Sequence, residues 1–203
     1  LDPLLTVTEM SAAELAAART ALEAETQRIL AIRAVRVSGH TGAMSGMMGV
    51  YARDAGHSPK CGKNVYSLKG ASGVHLHHVT NGKWYISDTA NMIEGCAGGF
   101  IGSTMASPSP LSLQWKASDS SSGLHLDKLL TVTEMSADEL AAAEAETQRI
   151  LAIRAVRVSG HTGTQSGMMG VYALDAAHSP KRGKNVYSLV GGSGVHLHEA
   201  TNG

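Results

Sequence analysis

Histidines spaced two apart occur twice in this chain, as His75 and His77 in VHLHHV and as His196 and His198 in VHLHEA. Residues i and i+2 of a β-strand project from one face, so each pair presents two imidazoles side by side, a start for Zn²⁺ or Cu²⁺ coordination. Asn81-Gly82 separates the first pair from KWYIS. Asn-Gly between two alternating segments is a strong signal for a two-residue hairpin loop. Such a loop pairs Thr80 with Lys83 and sets His75, His77, Val79, Trp84, Ile86 and Asp88 on one face. Asp88 then stands as a further ligand, or as the hydrogen-bond partner that orients a ligating imidazole. The metal-ligand candidates are therefore His75, His77, Asp88, His196 and His198. A packed or solvated strand face gives the same pattern without a metal, and no other cofactor is suggested.

Carbohydrate binding is the second chemistry to weigh. It needs exposed ring faces, and Trp84, Tyr85 and Trp115 are the ligand-contact candidates. With only two Trp, five Tyr and one Phe in 203 residues, the competing demand is the core.

Catalytic patterns are lacking. No G-x-S-x-G elbow is present. GHSPKCGKN misses the phosphate-loop spacing, and Asn64 stands where a magnesium-binding Ser or Thr belongs. Cys61 is matched by Arg182 in the second half, so a catalytic or bridging role there is not shared, and Cys96 in GCAGG has no second copy to compare. The sequence reads as non-enzymatic.

Seventeen basic and seventeen acidic residues give a formal net charge of zero. Nucleic-acid binding by phosphate neutralisation needs a basic surface and is disfavoured. No apolar run reaches the ~18–20 residues that span a bilayer. The sequence assigns no compartment; a chain that is soluble or peripheral is expected.

The elements that must hold these residues are written twice. Residues 23–42 recur without change at 144–163, LLTVTEMSA occurs at 4–12 and 129–137, and SGMMGVYA, KNVYSL and SGVHLH also recur. Duplication of this kind signals one supersecondary unit used repeatedly. Four residues, Arg19 to Leu22, are missing from the second copy. Four residues are close to one helical turn, so the gap fits a helix and not a strand. Ser11-x-x-Glu14 and Ser136-x-x-Glu139 are capping boxes ahead of Ala-rich stretches in which Leu15, Leu22 and Ile29 form an apolar stripe. Alternating segments from Ala34 onward read as short strands. The expected fold is α+β: a tandem repeat, each unit one amphipathic helix followed by a small, mostly antiparallel sheet. Residues 1–117 form a complete unit (helix 12–33, β section 34–117). Residues 118–125 form a linker, and 126–203 a second, incomplete unit (helix 137–154, β section 155–203). The absence of a starting Met and the stop at Asn202-Gly203 read as a processed piece of a longer array.

The β section carries Gly49-x-Tyr51, then Asn64-Val-Tyr66 (shorter than N-x-x-Y), GKWYISD at 82–88, GGFIGS at 98–103, Ser107-Pro108 and a closing Trp115. In this it resembles small β-rich modules repeated in multidomain proteins of protists and marine animals. The resemblance covers residues 49–115 and implies a β fold, with no activity attached.

The expected role is a non-catalytic structural or protein–protein interaction element, such as an accessory subunit of a larger assembly, its partner a protein or a neighbouring repeat. The alternative is a carbohydrate- or metal-binding module on the His75, His77, Trp84 and Asp88 face. The strand 194–199 lacks its hairpin partner and is an association-prone edge.

Overall fold

Helix starts follow from the caps. The Ser11 side chain accepts the Glu14 amide, and the Glu14 carboxylate accepts the Ser11 amide at 2.7 Å, so two otherwise unpaired donors are satisfied. α1 runs Ala12–Ala31 and ends where the β-branched alternation Ala34–Ser38 takes over. The same box at Ser136 starts α3, Ala137–Leu151. Both helices stop short of the expected 12–33 and 137–154. The expected stripe of α1 is not buried along its length: Leu15 is 46% and Leu22 67% exposed, and Ile29 is its buried position.

The computed structural model describes residues 10–95, 98–119, 123–160, 166–177, 185–192 and 194–197. Residues 1–32, with α1, form one compact unit; residues 33–203 form the other. No described helix is long and apolar enough to cross a membrane.

In the second unit the strands are β1 (Ala34–Ser38), β2 (Gly49–Arg53), β3 (Tyr66–Leu68), β4 (Val74–His78), β5 (Trp84–Asp88), β6 (Ile101–Ser103), β7 (Trp115–Asp119), β8 (Gly123–Asp127) and β9 (Thr131–Glu134). The short helix α2 (Thr89–Glu94) follows β5. All nine strands join one antiparallel sheet in the order β8-β7-β6-β5-β4-β3-β2-β1-β9. The α+β class with antiparallel hairpins therefore holds, but the sheet is large where a small one was expected. Two features enlarge it. Residues 118–125, expected as a linker, carry the ends of β7 and β8, which pair with each other. The chain then returns to the far edge, where β9 adds to β1.

One face of this sheet carries the apolar core, which runs from β9 to β7. Cross-strand partners project the same way, and the register links Val132 with Val37, Val35 with Tyr51, Tyr51 with Leu68, Tyr66 with Leu76, Leu76 with Ile86, and Ile86 with Ile101. All of these are buried, as are Trp84 and Trp115 on the same face.

The His-x-His hairpin forms, but one residue out of the expected register. His78 pairs with Trp84, His77 with Tyr85, and His75 with Ser87. The loop has three residues, not two: Val79 pairs with Lys83, the Gly82 amide donates to the Val79 carbonyl, and Gly82 has φ +80°. This is a turn closed by a left-handed glycine, the usual three-residue solution. A one-residue slip exchanges faces along the partner strand. His75 and His77 therefore share a face with Tyr85 and Ser87, while Trp84, Ile86 and Asp88 lie on the opposite one.

The remaining strands, β10 (Ala155–Val158), β11 (Gly170–Leu174), β12 (Tyr187–Leu189) and β13 (His196–Leu197), form a separate antiparallel sheet in that order. The duplicated strands keep their register: Ala34–Ala52 and Val35–Tyr51 pair in the first sheet as Ala155–Ala173 and Val156–Tyr172 do in this one. His196 and Leu197 are exposed at its edge; residues 198–203 lie outside the described residues.

Candidate functional site

Two places concentrate chemistry: the seam between β1 and β9, and a polar cluster on the sheet face opposite the aromatic core.

At the seam, the Met135 amide donates to the Ala34 carbonyl at 3.0 Å, while the Arg33 carbonyl accepts from Arg53 on β2. Alternation then turns the N–H and C=O of Ala34, Arg36 and Ser38 towards β9. Val132 lies opposite Val37, and Leu130, Val132 and Met135 are 3%, 5% and 5% exposed. The Ser38 and Thr131 hydroxyls hydrogen-bond at 3.1 Å. Just before β9, Asp127 bonds His40 Nδ1 at 2.6 Å and accepts the Leu129 and Leu130 amides. Burial opposes the charged form of Asp127, but the bonds from His40 and those two amides prevail and hold its carboxyl below the usual range. The chain approaches so closely that a Cβ on Gly39, at φ +99°, would lie 1.8 Å from the Leu129 carbonyl oxygen. α3 follows β9 and faces Arg36 and Val50 across a cleft of about 890 Å³. Lys69 and Glu144 pair beside it at 2.9 Å.

The polar cluster centres on Asp54, just past β2. Its carboxylate accepts Ser67 Oγ at 2.6 Å, His57 Nδ1 at 2.9 Å and the Gly56 amide at 2.9 Å. The Ser67 bond is the main reason that its pKa falls to about 2. With its O–H donated to Asp54, Ser67 accepts from His75 Nδ1 at 2.9 Å, and His75 Nε2 then accepts from Thr89 Oγ1 at 2.9 Å. Burial, then the charge of His57, pushes the His75 pKa down, in keeping with a neutral ring. The order Asp–Ser–His aims the serine O–H at the carboxylate, whereas nucleophilic catalysis needs it aimed at the imidazole.

One ligand atom from each of Asp54, His57 and His75 can be chosen so that all lie within 4.8 Å of one another. Three such donors resemble a zinc set. Both His75 nitrogens already hold hydrogen bonds, so a metal on Nδ1 displaces Ser67.

The metal candidates do not gather as expected. Of His75, His77 and Asp88, the first two share a face. Asp88 caps α2 instead, accepting the Asn91 amide at 2.8 Å. His77 is fully buried and its Nε2 bonds Ser87 Oγ at 2.8 Å. His196 keeps the link of its counterpart, Nδ1 to Ser188 Oγ at 3.0 Å, with Ser188 donating to Asp175 at 2.6 Å. His198 lies outside the described residues, as does Cys96; Cys61 is exposed and unbridged. Trp84, Tyr85 and Trp115 are 1%, 7% and 0% exposed, so these rings offer a sugar no open face. Trp84 Nε1 donates to the Ser107 carbonyl. Sequence reasoning passed over Asp54, Ser67 and Thr89, although Asp54, Ser67 and His75 recur at equal spacing as Asp175, Ser188 and His196.

No family model matches the chain, and no curated protein or solved structure matches it either.

Proposed function

We propose that this chain is a non-catalytic structural element, a tandem repeat in which the leading strand of one copy closes the sheet of the copy before it. The observation that carries the reading is the seam: β9, which opens the second sequence copy, pairs with β1 of the first and buries Leu130, Val132 and Met135 there. Covering the sheet edge removes unpaired backbone groups that would otherwise recruit other chains. The same strand links successive copies mechanically, as expected of a protein-interaction or assembly element. The Asp–Ser–His chain supports this reading too: its donors and acceptors satisfy one another and tie β3 and β4 to the loop after β2 and to α2.

Cross-linking tests the proposal. In a Cys61→Ser, Cys96→Ser background, Ser38→Cys with Thr131→Cys is expected to form an intrachain disulfide under mild oxidation, seen by mass after trypsin digestion. Arg36→Cys with Thr131→Cys is expected to form far less. Equal cross-linking of the two pairs would sink the reading.

A further inference from the structure

The acceptor strand of the seam exists twice, and among the described residues its second copy has no partner on the outer side. Residues 33–39 and 154–160 both read RAVRVSG, and residues 6–10 and 131–135 both read TVTEM. β1 is flanked by β2 and β9, but among the described residues β10 pairs with β11 alone and ends its sheet. The identical side chains report the difference. Ala34, Val35 and Val37 are 0%, 0% and 1% exposed, whereas Ala155 is exposed and Val156 and Val158 are half-buried. Gly39 lies against the Leu129 carbonyl, yet a Cβ on Gly160, at nearly the same φ, meets nothing within 4 Å. The donor shows the complementary deficit: Met10 is 54% exposed, and its counterpart Met135 is 5% exposed.

We propose that the edge of β10 accepts the Leu5–Met10 segment of a second copy of this chain. This rests on the strand-closing role argued above and extends it from within the chain to between chains. The register follows from the seam: Val7 opposite Val158, Thr8 opposite Arg157, and Glu9 opposite Val156, the arrangement that Val132, Thr133 and Glu134 make with Val37, Arg36 and Val35. Main-chain hydrogen bonds supply affinity, and alternate apolar side chains supply specificity, as in other strand-addition complexes. Donor and acceptor are different surfaces, so the contact is heterologous and propagates head to tail unless the rotation closes a ring. The Lys69–Glu144 pair is not reproduced, because Val190 stands at the Lys69 position. Val190 is 63% exposed, an apolar surface beside the open edge's sheet.

Complementary variants of the full chain test this by sedimentation velocity. Val7→Asp removes the donor. Arg157→Pro removes the acceptor, since the Arg157 amide points away from β11 and its loss costs the existing ladder nothing. Val158→Lys is a second acceptor lesion at a half-exposed position, should the proline variant misfold. The wild-type weight-average mass is expected to rise with concentration, and each variant alone to stay monomeric. A mixture of donor-lesion and acceptor-lesion chains is expected to form 1:1 dimers and nothing larger. A wild type that is monomeric at every concentration, as when its own leading segment fills the edge, overturns the proposal. So does association that the lesions leave unchanged. Failure of the Ser38–Thr131 cross-link would instead sink the intrachain reading beneath it.

Discussion

Val132→Asp is expected to lower the stability of the nine-stranded sheet by about 3–5 kcal/mol, combining the lost burial of a valine with the desolvation of an unpaired carboxylate. Val132 is 5% exposed opposite Val37, which is 1% exposed, so a charge there has no route to water while β9 stays docked. The relief open to the chain is to peel β9 away, which exposes Leu130 and Met135 and frees the backbone groups of Ala34, Arg36 and Ser38. Both tryptophans, Trp84 and Trp115, belong to the first sequence copy. Urea unfolding followed by their fluorescence therefore reads a lesion in the second copy through the first. Thr133→Asp on the same strand faces solvent and is expected to stay within about 0.5 kcal/mol of wild type. An unshifted tryptophan transition for Val132→Asp would show that the first sheet does not need β9.

The second large effect is in pH. Burial, reinforced by the charge of Lys60, pushes the His77 pKa down from 6.5 to about 4. The folded ring stays neutral where the unfolded ring binds a proton, so the unfolded state gains protons first as pH falls. Stability linked to His77 is complete above pH 6.5, declines as pH falls through that value, and stops declining below about pH 4. At pH 4.5 the loss is about 2.5 kcal/mol, at roughly 1.4 kcal/mol per unit. His77→Phe removes the titration in nearly the same shape. Ser87 keeps a partner, since its hydroxyl also reaches the Asp88 carbonyl at 3.2 Å. The variant's urea midpoint is expected to depend less on pH between 7 and 4.5 than that of wild type, by that amount. Equal pH dependence would mean that the His77 ring takes its proton freely in the folded chain.

Caps, alternation and the duplication were legible because each is local or internal to the sequence. Ser11 and Ser136 start their helices as read, and the segments on either side of Asn81-Gly82 do fold back on each other. Register was not legible. Asn-Gly suits both a two-residue and a three-residue loop, and the extra loop residue moved Trp84 and Asp88 to the face opposite the histidines. The site changed with it. His75 found Ser67 and Asp54, and Asp88 became the cap of α2, a helix too short to leave a periodic signal. The size of the sheet was hidden for another reason. TVTE looks like a lead-in to a helix, and nothing local says that it pairs with a strand almost a hundred residues earlier.

The most direct measurement is amide hydrogen exchange at Arg36 and Arg157, made on dilute Val7→Asp chain so that no second copy covers β10. Both residues sit in IRAVRVSG, so their intrinsic exchange rates are the same. The Arg36 amide points to β9, and the Arg157 amide points away from β11 to the side of β10 that no described strand covers. Exchange at Arg36 is expected to be at least about a hundredfold slower. Equal rates would contradict strand closure across the duplication.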